Sequence, residues 1–177
     1  MSVEIPEDLQ NLEANGGIFA IWMIFHHYGI DLNIPDLTQL CQHDPEMGSS
    51  SIALAVALKT LGLDVNFCTE HDADKQPIEV DFYQQAHRLN IPVIEQPLSY
   101  AEIQENVEAG RFVIVFYDTL EGVGNHSLIY EIDENEISFF DSFESMPKEV
   151  FEQQRRVDGI CQQVIVIDDR NFVMRHS

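Results

Sequence analysis

The longest apolar run lies near the start of the chain, where Gly17 to Tyr28 is hydrophobic nearly all round. Such a segment predicts a buried helix rather than a surface one, and Gly29 is placed to end it in the left-handed conformation. Pro35 suits a first helical turn, so Pro35 to Gln42 predicts a short helix. Ser49, Ser50 and Ser51 offer capping hydroxyls ahead of a helix over Ile52 to Leu61, with Gly62 as its stop. Leu63 to Phe67 alternates like a strand, and the polar stretch Glu70 to Gln76 predicts an exposed loop. Beyond it come a helix over Ile78 to Leu89, a short strand over Ile91 to Ile94, and a helix capped by Ser99 that closes near Gly110.

The second half turns to strands. Phe112 to Tyr117 is a continuous β-rich run suited to a sheet centre. His126 to Ile132 and Glu136 to Asp141 flank a polar turn, and Gln163 to Ile167 is another β-branched run. Helices first and an antiparallel sheet afterwards predict an α+β fold. No repeat, low-complexity tract or linker interrupts the chain, so one domain over residues 1–177 is expected.

Composition narrows the function classes. The 31 Asp and Glu against 9 Lys and Arg give a net charge of -22, which repels phosphate backbones and anionic membrane surfaces. Nucleic acid is therefore not an expected partner. A basic partner suits the charge, and a solvated acidic surface that aids solubility is the plainer reading. The first ten residues are acidic and lack a secretory pattern, and the run Ile18 to Phe25 falls far short of the roughly 20 residues of a spanning helix. Three cysteines, Cys41, Cys68 and Cys161, form no CxxC pair and leave an odd count, which suits a reducing cytoplasm.

The clearest catalytic candidate is His126, which starts a strand directly after the loop from Glu121 to Asn125. If the hairpin turns through Asp133 and Glu134, Ile132 faces Asn135 and the register sets His126 opposite Asp141, where directly opposite Cβ atoms lie about 4.5 to 5.5 Å apart. Such a carboxylate would hold the tautomer of an imidazole base. Polar residues also gather at strand ends as plain turn formers. Metal readings are poor: His26 and His27 point about 100° apart on a helix and cannot chelate one ion together. His71, Asp72 and Asp74 form a polar loop cluster, and Gly122 to Gly124 lacks the rest of a phosphate loop. No metal or other cofactor is expected.

One stretch carries a specific resemblance. Gln10-Asn-Leu-Glu-Ala-Asn15-Gly16-Gly17 resembles the active-site opening of the papain-like double-glycine leader peptidases, in which a Gln lies six residues before an Asp-Cys-Gly that starts a buried helix. Tyr28-Gly29, Gly48-Ser-Ser-Ser and Asn125-His-Ser-Leu-Ile-Tyr follow in the same order. The resemblance implies a papain-like fold with helices packed on a later antiparallel sheet. It also implies catalytic roles for His126 and Asp141 and an oxyanion role for Gln10 with the backbone N–H of residue 16. Gly16 stands where the nucleophile belongs, and Asn15 departs from the family's Asp. None of the three cysteines opens a helix beside Gln10, and Ser49 to Ser51 read as caps. The expected function is a peptidase-like domain that binds extended peptide or a protein partner without cutting it. Two alternatives stay open: a cysteine peptidase inactivated by a Cys to Gly change at position 16, in which Gly16→Cys restores a reactive thiol, and an acidic adaptor or immunity-type protein. The stretch from Glu70 to Gly110 resembles an addition found in longer stand-alone relatives.

Overall fold

A computed structural model describes residues 4–73, 75–119 and 124–172. Its helices are α1 (Glu7–Gln10), α2 (Gly16–His27), α3 (Ile34–Leu40), α4 (Ser51–Thr60), α5 (Pro77–Arg88), α6 (Tyr100–Glu108) and α7 (Lys148–Arg155). Its strands are β1 (Asp64–Cys68), β2 (Val93–Ile94), β3 (Phe112–Asp118), β4 (Gly124–Ile132), β5 (Glu136–Phe139), β6 (Met146–Pro147) and β7 (Val164–Asp168).

The apolar run behaves as its pattern dictates. Every residue of α2 from Gly16 to Phe25 is buried, and Gly29 follows with φ +74°. A Cβ at Gly17 would stand 2.8 Å from Leu54 Cδ1, so the glycine lets α2 approach α4 closely. The serine run resolves into separate tasks: Ser50 alone caps α4, its Oγ accepting from the Ala53 amide at 3.3 Å. Ser99 and Glu102 close a capping box at the start of α6.

The strands form one sheet in the order β2-β1-β7-β3-β4-β5-β6, with β3 at its centre. All neighbours are antiparallel except β1 and β2, which pair in parallel at one edge. The helices α2 to α5 share a core with Ile114, Leu128 and Ile165 on one face. On the other face, α6 and α7 cover Val113, Val115 and Val166 through Ile103 and Phe151. The structure is thus the α+β arrangement expected, with a second helical layer that the sequence pattern does not announce. The Glu70 to Gly110 stretch contributes α5, β2 and α6, so it widens the sheet and covers part of the second face.

The β4–β5 hairpin departs from the expected register. Asp133 rather than Ile132 closes the turn, its N–H bonding to Glu136 O at 2.9 Å while its Oδ1 accepts from the Asn135 and Glu136 amides. Ile132 therefore pairs with Ile137, two positions from the expected Asn135. A bulge between Ile129 and Glu131 then takes the ladder back by one residue, so that Ile129 pairs with Phe139 and Phe140 N bonds to Leu128 O. A two-residue slip keeps side chains on their faces, and the single step back leaves a net shift of one that reverses them. Ser127, not His126, comes opposite Asp141.

Candidate functional site

Gly16 starts α2 pressed against β4. A Cβ at this position would overlap the His126 carbonyl oxygen and stand 2.6 Å from Asn125 Oδ1. Asn125 Nδ2 donates to Tyr117 Oη at 3.1 Å and to Ser127 Oγ at 3.2 Å, and Ser127 Oγ in turn donates to Asp141 Oδ2 at 3.1 Å. Desolvation raises the Asp141 carboxyl above its usual range, opposed by hydrogen bonds from Ser127 and Asn125. The residue keeps an exposed edge, which limits that effect. The position that faces both Gly16 and Asp141 is thus occupied by Asn125, one residue before the expected histidine.

His126 points to the opposite face. Its Nε2 lies 2.7 Å from Ser51 Oγ, and its ring stacks on Phe116 with centroids 4.3 Å apart. The imidazole is buried, and burial pushes its pKa down to about 3, so it stays neutral near physiological pH. The expected His126–Asp141 pair is therefore not formed; the bulge beside Tyr130 is the physical reason. Gln10 turns back on its own segment, Nε2 donating to Ile5 O at 2.8 Å, and Asn15 Nδ2 donates to Leu9 O at 2.9 Å instead of capping α2. The four expected residues are not brought together as one constellation.

The main cavity lies to one side of them. A cleft of about 1240 Å³ opens between the loop before α4, the start of α5 and the segment around Asp158, with Ser49, Ser51, Phe82 and Phe116 in its wall. None of Gln10, Gly16, His126 or Asp141 lines it, although Ser51 and Phe116, which both contact the His126 ring, do. A second hollow of about 400 Å³ along α5, near Lys75 and Arg88, holds none of the candidate groups.

Two of the thiols and the candidate metal ligands show no sign of activation. Burial pushes the Cys41 thiol up to about 12, and burial with nearby Asp72, Glu70 and Glu79 pushes Cys161 up to about 11, the reverse of what an activated thiolate requires. His71 pairs with Glu95 at 2.6 Å, and among the described residues no three His, Cys, Asp or Glu side chains converge. Asp74, Gly122 and the rest of the loop before Gly124 lie outside the described residues.

Residues 5–142 match the model of the Peptidase C39 family. The chain belongs to the Peptidase C39 family. Among solved structures it is similar to the peptidase domain of Streptococcus ComA, a bi-functional ABC transporter involved in a quorum sensing pathway. That match has a TM-score of 0.50 and 15% identity, and it covers 84% of this chain and 86% of the other, a likeness that shows the fold. No curated protein matches the chain. Among the described residues no helix is long and apolar enough to cross a membrane.

Within this C39 chain the family match ends one residue after Asp141, so α7 and β7 lie beyond it. Two residue groups escaped the sequence reading. Asn125 was hidden because only the bulge reveals which of two adjacent residues faces Asp141. His43 was hidden because a lone histidine six residues before a serine run carries no recognisable spacing.

Proposed function

We propose that this C39 chain holds an extended peptide without cutting it by cysteine-peptidase chemistry. The carrying observation is that the side chain between Gly16 and Asp141 is Asn125. An amide has no basic nitrogen and cannot take a proton from a nucleophile, and Gly16 offers no nucleophile to activate. Any side chain at position 16 would overlap β4, which speaks against a simple Cys to Gly change in an otherwise intact site. Catalytic roles for Gln10, His126 and Asp141 find no support in their hydrogen bonds.

The ligand reading follows from the cleft. Its charged wall residues Asp44, Asp72, Glu79 and Asp158 are all acidic, with no Lys or Arg among the residues that line it. Met47 and Ile78 add exposed apolar surface. A peptide carrying cationic and apolar side chains fits this lining. The test is fluorescence anisotropy with labelled basic peptides containing Gly-Gly, followed by mass spectrometry after long incubation. Saturable, salt-sensitive binding with the peptide intact is expected. Cleavage after Gly-Gly, or no binding at low salt, would overturn the reading.

A further inference from the structure

Two serines of the cleft wall, Ser49 and Ser51, each pair with a histidine, and the Ser49 pair has a third member. Ser49 Oγ lies 2.9 Å from His43 Nδ1, and His43 Nε2 lies 2.8 Å from the carbonyl oxygen of Glu13. A carbonyl oxygen only accepts, so Nε2 carries the ring proton. In the neutral ring Nδ1 is then the acceptor, and the Ser49 hydroxyl donates to it. Nucleophile, base and orienting group stand in the sequence of a hydrolytic triad, with a backbone carbonyl in place of the carboxylate.

Local structure holds these groups in place. Ala14 turns the chain with φ 52°, and a Cβ at Gly48, where φ is +78°, would stand only 3.2 Å from Ala14 O, so the two loops lie against each other. Asp44 and Gly48 exchange backbone hydrogen bonds at 3.1 and 2.7 Å, and Asp44 Oδ1 accepts from the Glu46 and Met47 amides. Because Ser50 supplies the helix cap, the Ser49 hydroxyl remains with His43. Both Ser49 and His43 line the cleft, whereas the imidazole paired with Ser51 is shut behind Phe116.

We propose that Ser49 is an acyl-accepting nucleophile, with His43 as its general base, for esters that enter the cleft. Ser49 Oγ bonds to the ester carbonyl carbon while its proton passes to His43 Nδ1. The dipole of α4, which starts two residues later, favours the resulting oxyanion. Collapse breaks the bond to the alcohol oxygen, which leaves with the proton from Nδ1. Water then adds to the acyl carbon and gives its proton to Nδ1, and the acid departs as Oγ recovers that proton. The Glu13 carbonyl is a positioning group that fixes the tautomer. The assignment uses neither Gly16 nor Asn125, so it stands or fails apart from the peptide-holding reading.

The test combines a fluorophosphonate probe, with peptide mapping of the label, and release of p-nitrophenol from p-nitrophenyl butyrate. Label at Ser49 is expected, with label and turnover lost in Ser49→Ala. In His43→Gln both should fall about a hundredfold or more, in the range for loss of a general base. Circular dichroism checks that this variant folds; if it does not, the site of label in the unaltered protein decides alone. No label, label on another serine, or indifference of a folded His43→Gln would overturn the proposal and leave the pair as a clip between two loops.

Discussion

Ser127 stands across the β4–β5 hairpin from Asp141 and donates to its carboxylate at 3.1 Å. That one contact fixes which face each neighbour occupies: Asn125 lies with Asp141, and His126 lies with Ser51.

Replacing Gly16 by cysteine is expected to disturb the fold rather than restore chemistry. The new Cβ would overlap the His126 carbonyl oxygen, and crowding of this kind costs about 1 to 3 kcal/mol. Urea unfolding should show the loss, and iodoacetamide should alkylate position 16 no faster than Cys161. Fast alkylation that disappears in Gly16→Cys/His126→Ala would contradict this geometry.

Trp22, 1% exposed within α2, is expected to lose about 3 to 5 kcal/mol on substitution by alanine. His126→Ala should also destabilise, by about 1 to 3 kcal/mol, because it strands the buried Ser51 hydroxyl. A surface catalytic histidine would cost little. Unchanged urea midpoints in His126→Ala would place its side chain in solvent.

The same histidine predicts an acid response. Its folded pKa of about 3 lies below the ordinary value of 6.5, so below pH 6.5 the unfolded chain binds more protons than the native one. Its contribution is fully present above pH 6.5 and is lost as pH falls towards 3. Its hydrogen-bond partner Ser51 and its stacking partner Phe116 carry no charge, and burial is the cause of the shift. Stability of the unaltered protein against that of His126→Gln, compared from pH 7 to 4, should converge on acidification. Parallel curves would mean that the imidazole protonates freely in the fold.

Asn125→His places an imidazole beside a carboxylate. The neighbouring Asp141 should raise its pKa above the ordinary value, and Asp141→Asn in the same background should reverse the shift. Proton NMR titration of the two histidines at 125 and 126 reads this directly. An imidazole at 125 that ignores Asp141 would show that the two residues do not share a face.

Much of the fold was legible because burial and capping leave strong local marks. The all-round apolar pattern of α2, the Ser99 cap of α6, and the β-rich run of β3 each report their own environment. The helix α7 left no such mark, since Arg155 and Gln154 are buried among its polar residues and only Phe151 is a buried hydrophobe. The site failed for a sharper reason. Register depends on a turn closed by Asp133 and on one extra residue near Tyr130, and alternation within β4 cannot report either. The three serines looked interchangeable as caps, and only contacts with His43 and His126 separate them.

The strand β7 has a consequence for how the chain comes to be folded. It sits between β1 and β3 yet follows β1 by roughly a hundred residues and β3 by roughly fifty in order of synthesis, a separation of the kind that slows folding. Until Val164 to Asp168 emerges, β2-β1 and β3-β4-β5-β6 are two separate ribbons, each with a bare, apolar edge. The nascent protein therefore waits on β7, and a chain cut before Val164 should aggregate through those open edges.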